Sequence, residues 1–174
     1  YSFSNDRSNT FALLGDHLIA LETGVSIYSS GSVVDSMSVK LTNPAIAVGG
    51  QTGAVYDIGG QTLLIYSASG LVRDMSGECS GNILSVSVNS SDYLALNAEK
   101  SGYKSAVTVY DASGEKTFAF NSSEHLSHEA MAAHRLLDPV AELLNTDVHT
   151  QTELGVVLEG ELAQAGPCPF SLVQ

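Results

Sequence analysis

The chain has 174 residues, 44% hydrophobic and 15% charged, a balance that belongs to a folded domain rather than a disordered one. Its net charge of -12, with only seven Lys and Arg, argues against a phosphate-tracking nucleic-acid face and against binding to anionic membranes. No apolar run reaches the roughly 18 residues that cross a bilayer, so no membrane span is expected in this segment.

The first residues, Tyr1-Ser2-Phe3, lack an initiator Met, and we read the chain as processed or as part of a longer one, with any signal or anchor upstream. Along the chain, apolar strands are predicted at 17–21 and 45–48, with candidate innermost strands at Met37-Ser38-Val39-Lys40-Leu41 and at 83–88, both strictly alternating, and another strand at 93–96. Three hairpins recur between them. They read Val25-Ser26-Ile27-Tyr28-Ser29-Ser30-Gly31, Leu63-Leu64-Ile65-Tyr66-Ser67-Ala68-Ser69-Gly70 and Val107-Thr108-Val109-Tyr110-Asp111-Ala112-Ser113-Gly114.

In each hairpin, β-branched and aromatic residues alternate up to a Tyr, and a Gly supplies positive φ at the turn. The chain then returns through Val33-Val34, Leu71-Val72 or Thr117-Phe118-Ala119-Phe120. The tyrosines lie 38 and 44 residues apart, close to the roughly 40 to 50 residues of a four-stranded propeller blade. The expected fold is therefore an all-β repeat array over residues 1–122, a partial propeller of two to three antiparallel blades at about 10–36, 37–78 and 79–122. An up-and-down meander or sandwich with evenly spaced turns is the alternative. The repeated Tyr is expected to pack between blades.

These units resemble PQQ-like and WD-type propeller repeats over about residues 10–121, and are similar to a family of unknown function from Gram-positive, clostridia-like bacteria. The resemblance implies architecture and says little of activity. The chain has no Trp and no Gly-His or Trp-Asp dipeptide, which departs from the WD pattern, and it lacks the cysteine pair and tryptophan docking motifs of quinoprotein dehydrogenases. No cofactor is expected.

After Ser122 the composition changes. Residues 123–174 are read as an acidic tail, and the last 51 residues hold four of the five histidines and eight acids against Arg135. A Ser N-cap, Glu124 and an apolar stripe predict helix over 123–145, interrupted at Pro139, followed by a strand at 154–158 and a turn-rich end at 166–170.

Within the predicted helix, His125 and His128 share a face with Glu129 beside them, the candidate metal ligands, although the spacing fits neither usual zinc-hydrolase pattern. The alternative for them is a polar, solvated helix face. Asp57, Asp92 and Asp111 fall at strand ends, where turn-forming Asp is expected. Gly49-Gly50 and Gly59-Gly60 read as hairpin turns. Asn89-Ser90-Ser91 and Asn121-Ser122-Ser123 match the glycosylation triplet by composition, and Cys79 and Cys168 are read as separate thiols.

The leading functional expectation is a non-catalytic domain for a protein or cell-surface partner, within a larger extracytoplasmic bacterial protein. The alternatives are a metal-dependent hydrolase built on the His-rich helix and a propeller fragment without independent activity, self-associating through open strand edges.

Overall fold

The computed structural model of the chain describes residues 9–123 and 171–172. These form three successive four-stranded antiparallel meanders. Blade 1 comprises β1 (Thr10–Leu14), β2 (His17–Leu21), β3 (Val25–Ser29) and β4 (Ser32–Met37). Blade 2 comprises β5 (Pro44–Val48), β6 (Thr52–Asp57), β7 (Leu63–Ser67) and β8 (Gly70–Asp74). Blade 3 comprises β9 (Ile83–Val88), β10 (Leu94–Lys100), β11 (Tyr103–Tyr110) and β12 (Lys116–Ser122), and β13 (Ser171–Leu172) adds a short fifth strand beside β12.

The sheets stack like blades: β1 lies against β5, β5 against β9, and β4 against β8, so first strands meet first strands and last strands meet last. Alternation along blade 2 explains the stacking. Val55, Leu64 and Tyr66 join Leu14, Ile19, Leu21, Val25 and Ile27 of blade 1 in one core. Their sequence neighbours Ala54, Tyr56, Leu63 and Ile65 point the other way, into a second core with Ile83, Val86, Leu94, Leu96 and Tyr110 of blade 3. A strand buried on both faces has no polar side, and for that reason β7 reads as a continuous apolar run.

The three hairpins and their return strands form as expected. Two features differ. The segment 37–41 is not a ladder strand beyond Met37, the last residue of β4; the first strand of blade 2 is β5. Its alternation is nonetheless physical, because Met37, Val39 and Leu41 pack against the core between blades 1 and 2 while the chain crosses from the outer strand of one to the inner strand of the next. An extended segment with one buried face carries period-two patterning whether or not it has hydrogen-bonded neighbours. The second difference is that the first repeat is complete: β1 precedes β2 through the Gly15-Asp16 turn, and β6 supplies a strand between two Gly-Gly pairs.

Candidate functional site

The repeated Tyr and Gly mark one local geometry three times. Each Tyr sits beside a register shift, between Ile27 and Tyr28, Ile65 and Tyr66, and Val109 and Tyr110. A β-bulge there bends the strand and strengthens its twist ahead of the turn. The turn glycines have φ of 92° (Gly31), 121° (Gly70) and 82° (Gly114), the left-handed region in which a Cβ is strained. Tyr66 and Tyr110 are buried, 1% and 4% exposed, each against the preceding blade. Burial, with the carboxylates of Asp35 and Asp74 nearby, pushes the Tyr66 phenol up to about 12.

Polar contacts between residues far apart in sequence fasten the seams in a repeating way. From the outer strand of blade 1, Asp35 accepts a hydrogen bond from the Leu71 amide of blade 2 (3.0 Å). One repeat on, the Arg73 guanidinium of blade 2 donates to the Ser113 carbonyl of blade 3. Each side chain fills the space where a Cβ on the next blade's turn glycine, Gly70 or Gly114, would lie. In blade 3 the residue paired as Asp35 and Arg73 are paired is Phe118.

Nearer the first strands, Asp92 accepts from the Gln51 amide (2.8 Å), the Thr52 amide (2.9 Å) and the Thr52 hydroxyl (2.8 Å), tying the β9–β10 turn to blade 2. Asp92 has φ of 63°, so it is a turn residue as its type suggests, but its carboxylate works across a seam. Gly50 allows this approach, since a Cβ there would collide with the Ser90 carbonyl. Asp57 accepts from the Thr42 and Asn43 amides (2.9 and 2.6 Å), fixing the linker into β5. Asp111 stays local, accepting from the Ser113 hydroxyl and the Glu115 amide, and its carboxyl is held below the usual range, chiefly by that hydroxyl.

An Asn stands immediately before each first strand, and each is linked to an acid just past or at the end of the second. Asn9 donates to Glu22 (3.3 Å), the Asn43 amide to Asp57, and Asn82 to Glu99 (2.9 Å). At Asn43 the donor is the backbone N–H, so the Asn side chain itself makes the contact only in the first and third repeats.

Blade 1 turns one face away from blade 2. Phe11, Leu13, Leu18, Ala20, Ser26, Tyr28 and Val33 share it by strand pairing, opposite the side chains that enter the core. It corresponds to the faces of blades 2 and 3 that carry Tyr66 and Tyr110. On this face Leu13 is 69% exposed, Val33 56% and Phe11 45%, while Leu18 and Tyr28 are half-buried and Ala20 is buried. A Cβ on Gly31 would meet nothing within 4 Å, unlike one on Gly70 or Gly114. On the far side of blade 3 the corresponding outward face is different in kind: Ala95, Val107 and Val109 are buried in a third core with Phe118 and Phe120.

His125, His128 and Glu129, and Cys168, lie outside the described residues. Among the described residues no three His, Cys, Asp or Glu side chains gather as a metal site would need. Cys79 is a buried free thiol, raised to about 11 by burial and by the nearby acids Glu78 and Asp74. Asn89 and Asn121 are both buried, their side-chain oxygens accepting from the Ser91 and Tyr93 amides and from Lys100 (2.9 Å) respectively, so neither triplet presents an exposed Asn. An open depression of about 440 Å³ beside the β10–β11 turn is lined by Glu99, Lys100, Tyr103 and Lys104 among others. No helix among the described residues is long and apolar enough to cross a membrane.

Residues 1–131 match the family described as "Family of unknown function (DUF5711)", and the chain belongs to that family. No curated protein matches. Among solved structures the chain is similar to the WD40 β-propeller domain of Doa1, at 9% identity and a TM-score of 0.43, over 63% of this chain and 38% of that one. The chain thus spans well under half the length of that structure.

Proposed function

We propose that this member of DUF5711 is a non-catalytic interaction domain, part of a larger bacterial protein acting outside the cytoplasm, and that its binding surface is the outward face of blade 1. The observation that carries the reading is the exposure of Leu13 and Val33 on a face whose counterparts in blades 2 and 3 are covered. Large apolar side chains exposed to water, as Leu13 and Val33 are, have a free-energy incentive to be covered, roughly 25 cal/mol per Å². That incentive favours a macromolecular partner with a flat apolar surface over a small polar ligand.

The test is affinity capture from fractionated bacterial envelope and cytosol with the whole chain and with a Leu13→Glu/Val33→Glu double variant. The reading expects envelope partners that the double variant loses. Identical capture by both proteins, or reproducible turnover of a substrate by the pure chain, overturns it.

A further inference from the structure

We infer that the depression beside the β10–β11 turn of blade 3 is a binding site for an acidic sugar, its carboxylate held between Lys100 and Lys104 and its ring laid against Tyr103. The site is separate from the outward face of blade 1, so the inference goes beyond the interaction reading and does not depend on it.

Bases are scarce in this chain. Five Lys and Arg fall among the described residues, and Arg73 is engaged at the seam with Ser113. Two of the others, Lys100 and Lys104, line one depression of about 440 Å³, a volume in the range of small-molecule sites. The turn between them is tight: Lys100 pairs with Tyr103, and Gly102 takes φ of 83° in the loop that joins them. A loop that short leaves the flanking side chains little backbone freedom to lose on binding. Gly81 forms part of the opposite wall, where a Cβ would collide with the Glu99 carbonyl, so the segment entering β9 lies directly against β10.

The charged groups suit a single negative charge. Lys100 Nζ donates to Asn121 Oδ1 at 2.9 Å and stands 6.0 Å from the Tyr103 ring centroid, which positions the ammonium and leaves two of its three N–H groups for a ligand. Lys104 is exposed and enters no ion pair among the described residues. The acid of the depression, Glu99, accepts from the Asn82 side chain (2.9 Å) and pairs with neither lysine. Two ammonium groups against one carboxylate leave a local charge of +1 in a chain of -12, which matches a carboxylate and is exceeded by a phosphate dianion.

Tyr103, 40% exposed, supplies the apolar surface. One face of a sugar ring is a set of C–H groups that packs on an aromatic ring while the hydroxyls stay in water. A ring that carries one carboxylate therefore uses both features of the depression, and a neutral sugar uses only one.

Amide-resolved NMR titration of the whole chain tests this, with a galacturonic acid trimer, the neutral galactose trimer and inorganic phosphate as probes at one fixed salt concentration. The galacturonic acid trimer should shift the Ser101, Tyr103 and Lys104 amides and saturate with a Kd of about 1 mM, as exposed charges allow. Lys100→Ala/Lys104→Ala should weaken it about tenfold, and Lys104→Ala or Tyr103→Ala alone by a smaller factor with an unchanged melting temperature. Absence of saturable shifts at those amides, an equal response to the neutral trimer, tighter binding of inorganic phosphate, or undiminished affinity in the double variant overturns the inference. Leu13→Glu/Val33→Glu should bind the trimer as the wild-type chain does, so failure here leaves the reading of blade 1 standing.

Discussion

The Asp35 carboxylate of blade 1 holds the Leu71 amide of blade 2 at 3.0 Å, over the turn made by Gly70. That single contact links an outer strand, a positive-φ turn and a seam between sheets. Removing the carboxylate in Asp35→Ala is expected to cost about 1 kcal/mol, the usual net worth of one hydrogen bond at a partly exposed site. Gly70→Ala should cost more than Gly31→Ala, by about 1–2 kcal/mol. Both glycines have positive φ, but only at Gly70 does the new methyl collide with Asp35. Urea unfolding of the three variants checks the order.

Asp92→Ala should be among the most damaging polar substitutions, at about 2–3 kcal/mol, because it strips the Gln51 and Thr52 amides and the Thr52 hydroxyl of one shared acceptor. Asp92→Asn keeps a side chain tolerant of positive φ and one carbonyl acceptor, and should recover at least half of the loss. Equal losses in the two variants would show that charge, not hydrogen-bond geometry, matters at that seam.

Stability should fall in alkali. Burial raises the phenols of Tyr56, Tyr66 (to about 12) and Tyr110 and the thiol of Cys79 (to about 11). Well below its ordinary value each group is protonated in both folded and unfolded chains and contributes no pH dependence. Above its ordinary value the unfolded chain releases the proton first, the folded chain binds more protons, and stability declines with pH. Each two-unit shift corresponds to roughly 2–3 kcal/mol once the window is crossed. A melting temperature that stays level from pH 8 to 11 would contradict this; replacing Cys79 with Ala should remove the earliest part of the decline.

The Cys79 thiol should react with a disulfide reagent at pH 8 only as fast as the fold opens, since it is both buried and protonated there. In a Cys168→Ala variant, which leaves Cys79 as the single thiol, reaction at the rate of a small free thiol would place Cys79 at the surface. The comparison is made by following release of the reagent's chromophore in buffer and in urea.

Much of the fold was legible because the repeat unit couples a side-chain preference to a backbone need: Tyr28, Tyr66 and Tyr110 mark the bulge, and the glycines after them take the positive φ. The extended segment 37–41 misled because alternation reports one buried face, and Met37, Val39 and Leu41 have that face without a ladder. β6 was hidden because Gly53 and the flanking Gly-Gly pairs resemble turn sequence. In the fold, Gly53 packs close to Ile19 of blade 1. The seam contacts were not legible, since Asp35–Leu71, Arg73–Ser113 and Asp92–Thr52 join residues 36 to 40 positions apart and no local rule connects them. The exposure of Leu13 and Val33 was beyond reach for a similar reason: they carry the same apolar pattern as residues that are buried between blades, and only the stack tells them apart.

Blade 2 is apolar on both sides, and this removes the cue that ordinarily fixes how strands align. In a sheet with one wet face, sliding a strand by a single residue drives its apolar side chains into water, and the error corrects itself. In β7 the same slide would exchange Leu64 and Tyr66 for Leu63 and Ile65, sending one greasy set into the other's core at little cost in hydration. Alignment in the middle sheet must therefore be encoded elsewhere, by the bulge at Ile65 and Tyr66, by the one turn position that accepts Gly70, and by the reach of Asp35 to Leu71. The few polar and glycine positions of this chain act as its alignment marks, and the apolar ones supply cohesion without direction.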